Sequence, residues 1–203
     1  AGLSKAIGMK KLALFLSLAA LPARADSPLT STDFWTAYKD VPEVVTAHDI
    51  ERLNTRLGYY LLSKASIDKK AAVINALSWN YNGRQNAQLF TEILGQKYKT
   101  TDPLQLNKRL SAEERFCLAY LTALDDYFHV DAAYEMARQA RRQLGNSFTV
   151  SIVTELIEAQ KNFGGKTPLW NYVAPVLNDK KLKQDLRPGG RKVIFDYMAL
   201  YKK

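Results

Sequence analysis

The fold is decided by residues 111–163, which have the sequence SAEERFCLAYLTALDDYFHVDAAYEMARQARRQLGNSFTVSIVTELIEAQKNF. Ser111 and Glu114 form a capping-box pattern, in which each side chain satisfies a backbone N–H at the start of a helix. Apolar residues then recur at the three- and four-residue spacing of one helix face; they are Phe116, Cys117, Tyr120, Leu121, Leu124 and Phe128. The pattern predicts a helix from Ala112 to about Tyr127.

Two further helices are expected to follow after short polar breaks. Asp131 is the expected cap of a second helix, whose inward face consists mostly of small residues: Ala132, Ala133, Met136, Ala137, Ala140 and Leu144. Small faces let two helix axes approach closely. Gly145 ends this helix, and a third is expected from Thr149 to Asn162. Consecutive helices with short connections predict antiparallel hairpins.

The rest of the chain shows helical periodicity and no convincing strand pattern. Helices are expected at Thr32–Lys39, from Thr46–Asp49 to about Lys64, from Ser66 to about Tyr81, at Asn86–Tyr98, from Thr167-Pro168, and after a break at residues 187–190. Residues 99–110 are expected to be a connection with one short turn. We therefore predict an all-α fold of antiparallel helical hairpins, stacked as a short right-handed α-solenoid-like array or as an irregular helical bundle.

Part of the chain resembles a tetratricopeptide-type helical hairpin. The resemblance is carried by an aromatic helix end, a short break, and a second helix with Ala133 and Ala140 followed by an Asn-Ser exit. Tyr120, Leu121 and Leu124 lie near that family's packing positions on the first helix, although Leu121 replaces a small residue of the family pattern. Over about half of the chain, the resemblance implies a helical-repeat architecture without specifying an activity.

Residues 1–25 have the features of a secretory signal peptide. Met9-Lys10-Lys11 is a short basic region, Leu12–Leu21 is apolar, and Ala23-Arg24-Ala25 is an A-x-A cleavage pattern. The apolar run is too short to span a bilayer, so no stable transmembrane anchor is expected. The alternative is an amphipathic N-terminal helix that belongs to the structure. The pattern predicts export to the periplasm or the extracellular space.

Cleavage after Ala25 would leave residues 26–203, a length that suits a single all-helical domain. It removes four basic residues and no acid, and so lowers the formal net charge from +9 to +5. The basic residues of 138–142 and 180–183 are expected to be solvated helix faces. A nucleic acid is not expected as a partner, because export removes the protein from it.

The sequence offers little catalytic chemistry. His48 and His129 have no histidine or cysteine at metal-ligand spacing, so no metal site is expected. Nucleophile-elbow and phosphate-loop motifs are absent, and no cofactor is expected. The single cysteine, Cys117, allows no intramolecular disulfide and lies in an apolar stripe, where burial is expected.

Two functions fit these observations. The first is a protein–protein interaction or adaptor module without catalysis, because stacked helical hairpins form a groove that binds a protein or a peptide. Its expected binding residues are Tyr59, Tyr81, Asn82, Glu135, Arg138, Gln139 and Arg142. The alternative is a cell-envelope enzyme or small-ligand-binding protein, in which Asp125, Asp126 or Glu155 would project into a pocket. Neither function specifies an oligomeric state.

Overall fold

The computed structural model describes residues 27–79 and 85–202. These residues form ten α-helices: α1 (Pro42–Ile50), α2 (Thr55–Leu62), α3 (Ile67–Ala76), α4 (Asn86–Tyr98), α5 (Pro103–Arg109), α6 (Ala112–Asp125), α7 (Asp131–Gln143), α8 (Phe148–Lys161), α9 (Trp170–Asn178) and α10 (Pro188–Met198). Two 3₁₀ helices, Phe34–Tyr38 and Ala199–Tyr201, lie near the ends. No β-strand occurs in the described ranges, where Ser147 and Lys183 form one isolated bridge. The predicted all-α class is confirmed.

Helices α6, α7 and α8 follow one another as the sequence pattern predicted, each packed against the next. The capping box of α6 is present in both directions. The Glu114 N–H donates to Ser111 Oγ at 3.3 Å, and the Ser111 N–H donates to Glu114 Oε2 at 2.8 Å. Ser147 caps α8 by accepting a hydrogen bond from the Val150 N–H at 3.1 Å. Short connections make these neighbouring helices antiparallel.

The start of α7 differs from its prediction. Asp131 is the first helical residue after Val130 and makes no side-chain cap, so its expected capping role is wrong. The Asp131 carboxylate lies 2.9 Å from Lys161 Nζ at the end of α8. This ion pair holds the pKa of Asp131 below its usual range. It links the first turn of α7 to the last turn of α8.

Small residues mediate the packing of α7 against α6 and α8. Ala133, Ala137 and Ala140 are fully buried. Because their side chains end at Cβ, the helix axes can approach closely. The opposite face of α7 is polar, and this packing turns that face outward.

Helix α8 lies deep in the fold, since eleven of its fourteen residues are buried. It packs against α3, α6, α7 and α9. One hydrophobic cluster extends from Leu29 to Met198 and has members in all ten α-helices. Burial of apolar surface in this cluster is the main stabilising contribution to the fold. None of the helices in the described ranges has both the length and the hydropathy needed to cross a membrane.

The two ends of the described chain pack together. The 3₁₀ helix at Phe34–Tyr38 contacts α3 and α10. The Tyr38 hydroxyl donates to Asp68 at 3.0 Å and accepts from the Arg187 N–H at 3.0 Å. The Arg187 guanidinium lies 4.4 Å from the Tyr38 ring centroid and also pairs with Asp40. These contacts hold the start of α10 against the N-terminal part of the fold.

Several predicted helix boundaries are wrong. Helix α1 begins at Pro42, continues through the start expected at Thr46–Asp49, and ends where Glu51 adopts the left-handed conformation with φ of 46°. Helix α10 begins at Pro188, within a stretch predicted to be a break. Proline at the first helical position has the φ that a helix needs, and this explains both starts. Helix α9 begins at Trp170, after the start expected at Thr167-Pro168, and continues through Pro175.

Candidate binding surfaces

The α7 residues that were predicted to bind a partner lie opposite the buried alanines. Glu135, Gln139 and Arg142 are exposed, and Arg138 is half-buried. Glu135 Oε1 accepts a hydrogen bond from Arg138 Nη1 at 3.1 Å. Within the described residues, the side chains of Gln139 and Arg142 make no hydrogen bond or ion pair. Their accessibility agrees with a binding surface, and their binding role stays a prediction.

A cavity of about 300 Å³ adjoins this face; we call it the arginine pocket, and it is lined by Tyr134, Arg138, Arg141, Arg142 and Gly145. The spacing of these positions places them along one stripe of α7 and just beyond its end. The Arg138 guanidinium lies 5.7 Å from the Tyr134 ring centroid. Three arginine side chains therefore border one small cavity, whereas the sequence suggested only a solvated basic face.

Carboxyl groups of α8 lie beside the arginine pocket. Glu155 forms an ion pair with Arg141. Burial, followed by hydrogen bonding with Glu158, raises the pKa of Glu155 to about 7, although Arg141 acts in the opposite direction. Burial and the interaction with Glu158 also raise the pKa of Tyr134. An ionisable cluster therefore occupies the contact between α7 and α8.

The other acids considered for catalysis are held in local contacts. Asp125 Oδ2 accepts a hydrogen bond from the Ala87 N–H at 2.7 Å and thereby caps the start of α4. Asp126 Oδ2 lies 2.9 Å from His129 Nδ1 in an exposed pair. Adjacent helix residues point in different directions. Asp125 therefore has a structural contact, and the Asp126–His129 pair lies in solvent.

The described residues include no group of three or more histidine, cysteine, aspartate or glutamate side chains that would hold a metal ion. The His48 ring stacks on Trp35 with ring centroids 4.0 Å apart. Cys117 is fully buried, and its burial raises the pKa of the thiol to about 12. A thiol that stays protonated at neutral pH is a poor nucleophile, because the thiolate is the reactive form.

A longer groove crosses α4, α5, α6 and α7. Two cavities of about 610 and 330 Å³ share Thr91, Pro103 and Leu106, so they form one continuous concavity that we call the α5 groove. The smaller cavity is mostly apolar and is lined by Ala87, Leu106, Leu110, Leu118 and Met136, among others. The larger cavity includes polar residues, namely Glu92, Gln96, Lys99, Thr100 and Thr101. The groove therefore has one end that is almost entirely apolar and another, still mostly apolar, that also carries polar and charged side chains; we call the second the polar end.

Helix α5 forms one wall of this groove and was expected to be a connection. Its Asp102 cap accepts a hydrogen bond from the Leu104 N–H at 2.9 Å, and Pro103 occupies its first position. Leu106 is the one buried residue within α5, whereas the Leu104 residue is 74% exposed. An aspartate cap followed by proline is a helix-start signal. That signal would have predicted this wall of the groove from the sequence.

Tyr59, another predicted binding residue, lies away from the α7 surface. Tyr59 is exposed on α2, which packs against α1, α3, α4 and α6, whereas α7 packs against α6 and α8. Tyr81 and Asn82 lie outside the described residues. Of the predicted binding residues, the four on α7 therefore lie together on its polar face. Sequence reasoning missed the α5 groove, including Met136 on another side of α7.

Comparison of the chain with protein-family models, with curated proteins and with solved structures gave no significant match. The tetratricopeptide-type resemblance therefore stays a prediction. The function of the arginine pocket and of the α5 groove has to be inferred from their own geometry and chemistry.

Proposed function

We propose that this protein is an exported helical-repeat module that binds another protein and has no catalytic role. The observation that carries the proposal is the α5 groove, a continuous concavity lined by side chains of four helices. Grooves between helices bind protein segments by receiving their apolar side chains. Such binding needs shape and an apolar surface, and it needs no catalytic group.

The proposed occupant is an amphipathic segment of a partner, with apolar anchor residues and an acidic residue. The anchors would contact Leu106, Leu118 and Met136 at the apolar end. At the polar end, Lys99 has no carboxylate partner among the described residues, whereas Glu92 accepts a hydrogen bond from Gln88 at 3.1 Å. The formal net charge of +5 that remains after cleavage at Ala25 also favours the approach of an acidic partner.

Selection from a library of random displayed peptides, with the full chain as the target, tests this occupant. We expect the enriched peptides to combine apolar residues at helical spacing with an acidic residue. Met136→Glu places a charge in the apolar end and should weaken their binding by about tenfold or more. Leu200→Glu is the matched control, because it also replaces an apolar side chain with glutamate, at a residue that is 72% exposed and outside the groove.

The outcome depends on the difference between these two variants. Weaker binding for Met136→Glu alone would support the groove as the binding site. If no peptide is enriched, or if both variants bind the selected peptides like the unmodified chain, the groove is not the site. Circular dichroism and thermal unfolding of both variants would show whether either substitution acts through the fold.

Export is part of the proposal and rests on the Met9–Ala25 pattern, which lies outside the described residues. Expression of the full chain in a bacterial host should give a periplasmic product that begins at Asp26. Ala25→Leu should block cleavage, because signal peptidase sites require small residues. A product that remains in the cytoplasm with its N-terminus intact would contradict export.

One observation favours the alternative of small-ligand binding. Glu155 and Glu158 lie beside the arginine pocket, and a carboxyl group with a pKa near 7 suits general acid–base chemistry. However, the groups that line the pocket are guanidinium groups and a phenol. This chemistry favours the binding of an anion over acid–base catalysis.

A further inference from the structure

The arginine pocket brings together three arginine side chains that the proposed protein-binding function does not use. Arg138 is paired with Glu135, and Arg141 is paired with Glu155. Arg142 is exposed and has no ion-pair partner within the described residues. The pocket therefore contains two compensated guanidinium groups and one that is available to a ligand.

We propose that the arginine pocket binds a phosphate dianion, either free or as the ester of a small molecule. Guanidinium groups present planar sets of N–H donors that match phosphate oxygens, and such charge-assisted hydrogen bonds are stronger than neutral ones. Arg142 supplies the principal contact, while Arg138 and Arg141 supply further donors from the same wall.

The position of these arginines near the end of α7 has a simpler explanation, which does not account for the whole arrangement. Cations stabilise the C-terminal end of a helix through its dipole. That effect explains Arg141 and Arg142 in the last turn. It does not explain why Arg138 and Tyr134, from earlier turns, border the same cavity. An anion in this concavity would have the side chains of Arg138, Arg141 and Arg142 beside it.

The size of the pocket is consistent with a small phosphate compound. Its volume of about 300 Å³ is at the lower end of the range found for small-molecule sites. The Tyr134 ring provides an apolar wall beside the guanidinium groups. A phosphate ester would place its charged end among the arginines and its organic part against this ring.

Isothermal titration calorimetry of the full chain tests the proposal, with inorganic phosphate and glycerol 3-phosphate as separate probes at constant ionic strength. We expect both to bind and uncharged glycerol not to bind. Arg142→Ala should weaken phosphate binding by about tenfold or more, as expected for the loss of a charged hydrogen-bonding group. Arg142→Lys should recover part of the affinity, because it keeps the charge and loses the planar donor set.

Arg52→Ala is the matched control. It removes one positive charge from an exposed position between α1 and α2, away from the pocket. Tighter binding of glycerol 3-phosphate than of inorganic phosphate would support a phosphate ester as the ligand of the pocket. Equal binding of the two would support the free anion as the ligand. If neither probe binds, or if Arg52→Ala weakens binding as much as Arg142→Ala, the proposal is wrong. Peptide binding by the α5 groove is measured in a different experiment. The result of the phosphate titration therefore neither supports nor contradicts the proposed protein-binding function.

Discussion

The side-chain nitrogen of Asn75 donates a hydrogen bond to the Tyr120 hydroxyl at 3.0 Å. The same nitrogen donates to the Thr32 carbonyl at 3.1 Å, and Asn75 Oδ1 accepts from the Trp35 N–H at 2.9 Å. Asn75 and Tyr120 are both buried. One amide group on α3 therefore connects α6 to the segment that precedes α1.

Replacing Asn75 with leucine, a residue of similar size, should lower the free energy of unfolding by about 3 kcal/mol, because three hydrogen bonds lose their partner and unpaired buried groups are costly. Urea denaturation measures this change. Tyr120→Phe removes the hydroxyl alone and should cost about 1 kcal/mol. If Asn75→Leu costs no more than Tyr120→Phe, the contacts with Thr32 and Trp35 do not contribute as the structure indicates.

Gly58 allows α2 and α4 to approach closely. A Cβ atom at Gly58 would lie 2.3 Å from Ile93 Cδ1. Because Cδ1 is the end of the Ile93 side chain, rotation of that side chain relieves part of the overlap. Overpacking that remains is partly offset by the gain of about 1 kcal/mol in helix propensity, so Gly58→Ala should destabilise the fold by about 1 kcal/mol. Ile93→Val removes the atom in conflict. The double variant should be less destabilised than the sum of the two single variants, and strict additivity in denaturation measurements would contradict the close contact.

The burial of Cys117 predicts slow chemical modification. Its thiol has a pKa of about 12 because of burial, so little thiolate forms at neutral pH. Alkylation by iodoacetamide should be at least about a hundredfold slower in the native protein than in the urea-unfolded chain, because the thiol must first become exposed. Mass spectrometry at timed intervals measures both rates. Rapid alkylation of the native protein would contradict the buried position.

Features that depend on a few neighbouring residues were predicted well from the sequence. The Ser111–Glu114 capping box is present in the structure, and α4 has the predicted bounds of Asn86–Tyr98. A cap and a periodic apolar face are encoded within one segment, so they need no knowledge of the fold. Only one short turn was expected where α5 lies, because its single buried residue, Leu106, gives almost no periodic signal.

The candidate surfaces depend on tertiary packing and were only partly predictable. The alanine face of α7 indicated that Glu135 and Arg142 would be accessible, since opposite faces of a helix have opposite environments. The pairing of Arg141 with Glu155 joins two helices across fourteen positions of sequence. To predict the α5 groove, one would need to know how four helices lie relative to one another. No local pattern specifies these arrangements.

Glu155 predicts how the stability of the protein changes with pH. Its pKa is about 7 in the folded state because of burial and then Glu158, and a glutamate in an unfolded chain has a pKa of about 4.3. Between these values the folded state binds more protons than the unfolded state, so the free energy of unfolding falls as the pH rises. Allowing for partial solvent screening, we expect this contribution to be about 1–2 kcal/mol between pH 5 and 8.

Glu155→Gln should remove this contribution, because the amide has the shape of the protonated acid and does not ionise. Arg141 and Tyr134 face Glu155 from α7, and Glu158 lies one turn further along α8. Helix α9 also packs on α8, but it carries no charged residue. The variant should therefore gain stability relative to the unmodified protein as the pH rises from 5 to 8, as measured by urea denaturation at each pH. Glu92→Gln makes the same substitution on the exposed surface of α4 and is the control. Parallel stability curves for Glu155→Gln and the unmodified protein would show that Glu155 ionises in the folded state as it does in the unfolded chain, and would contradict this prediction.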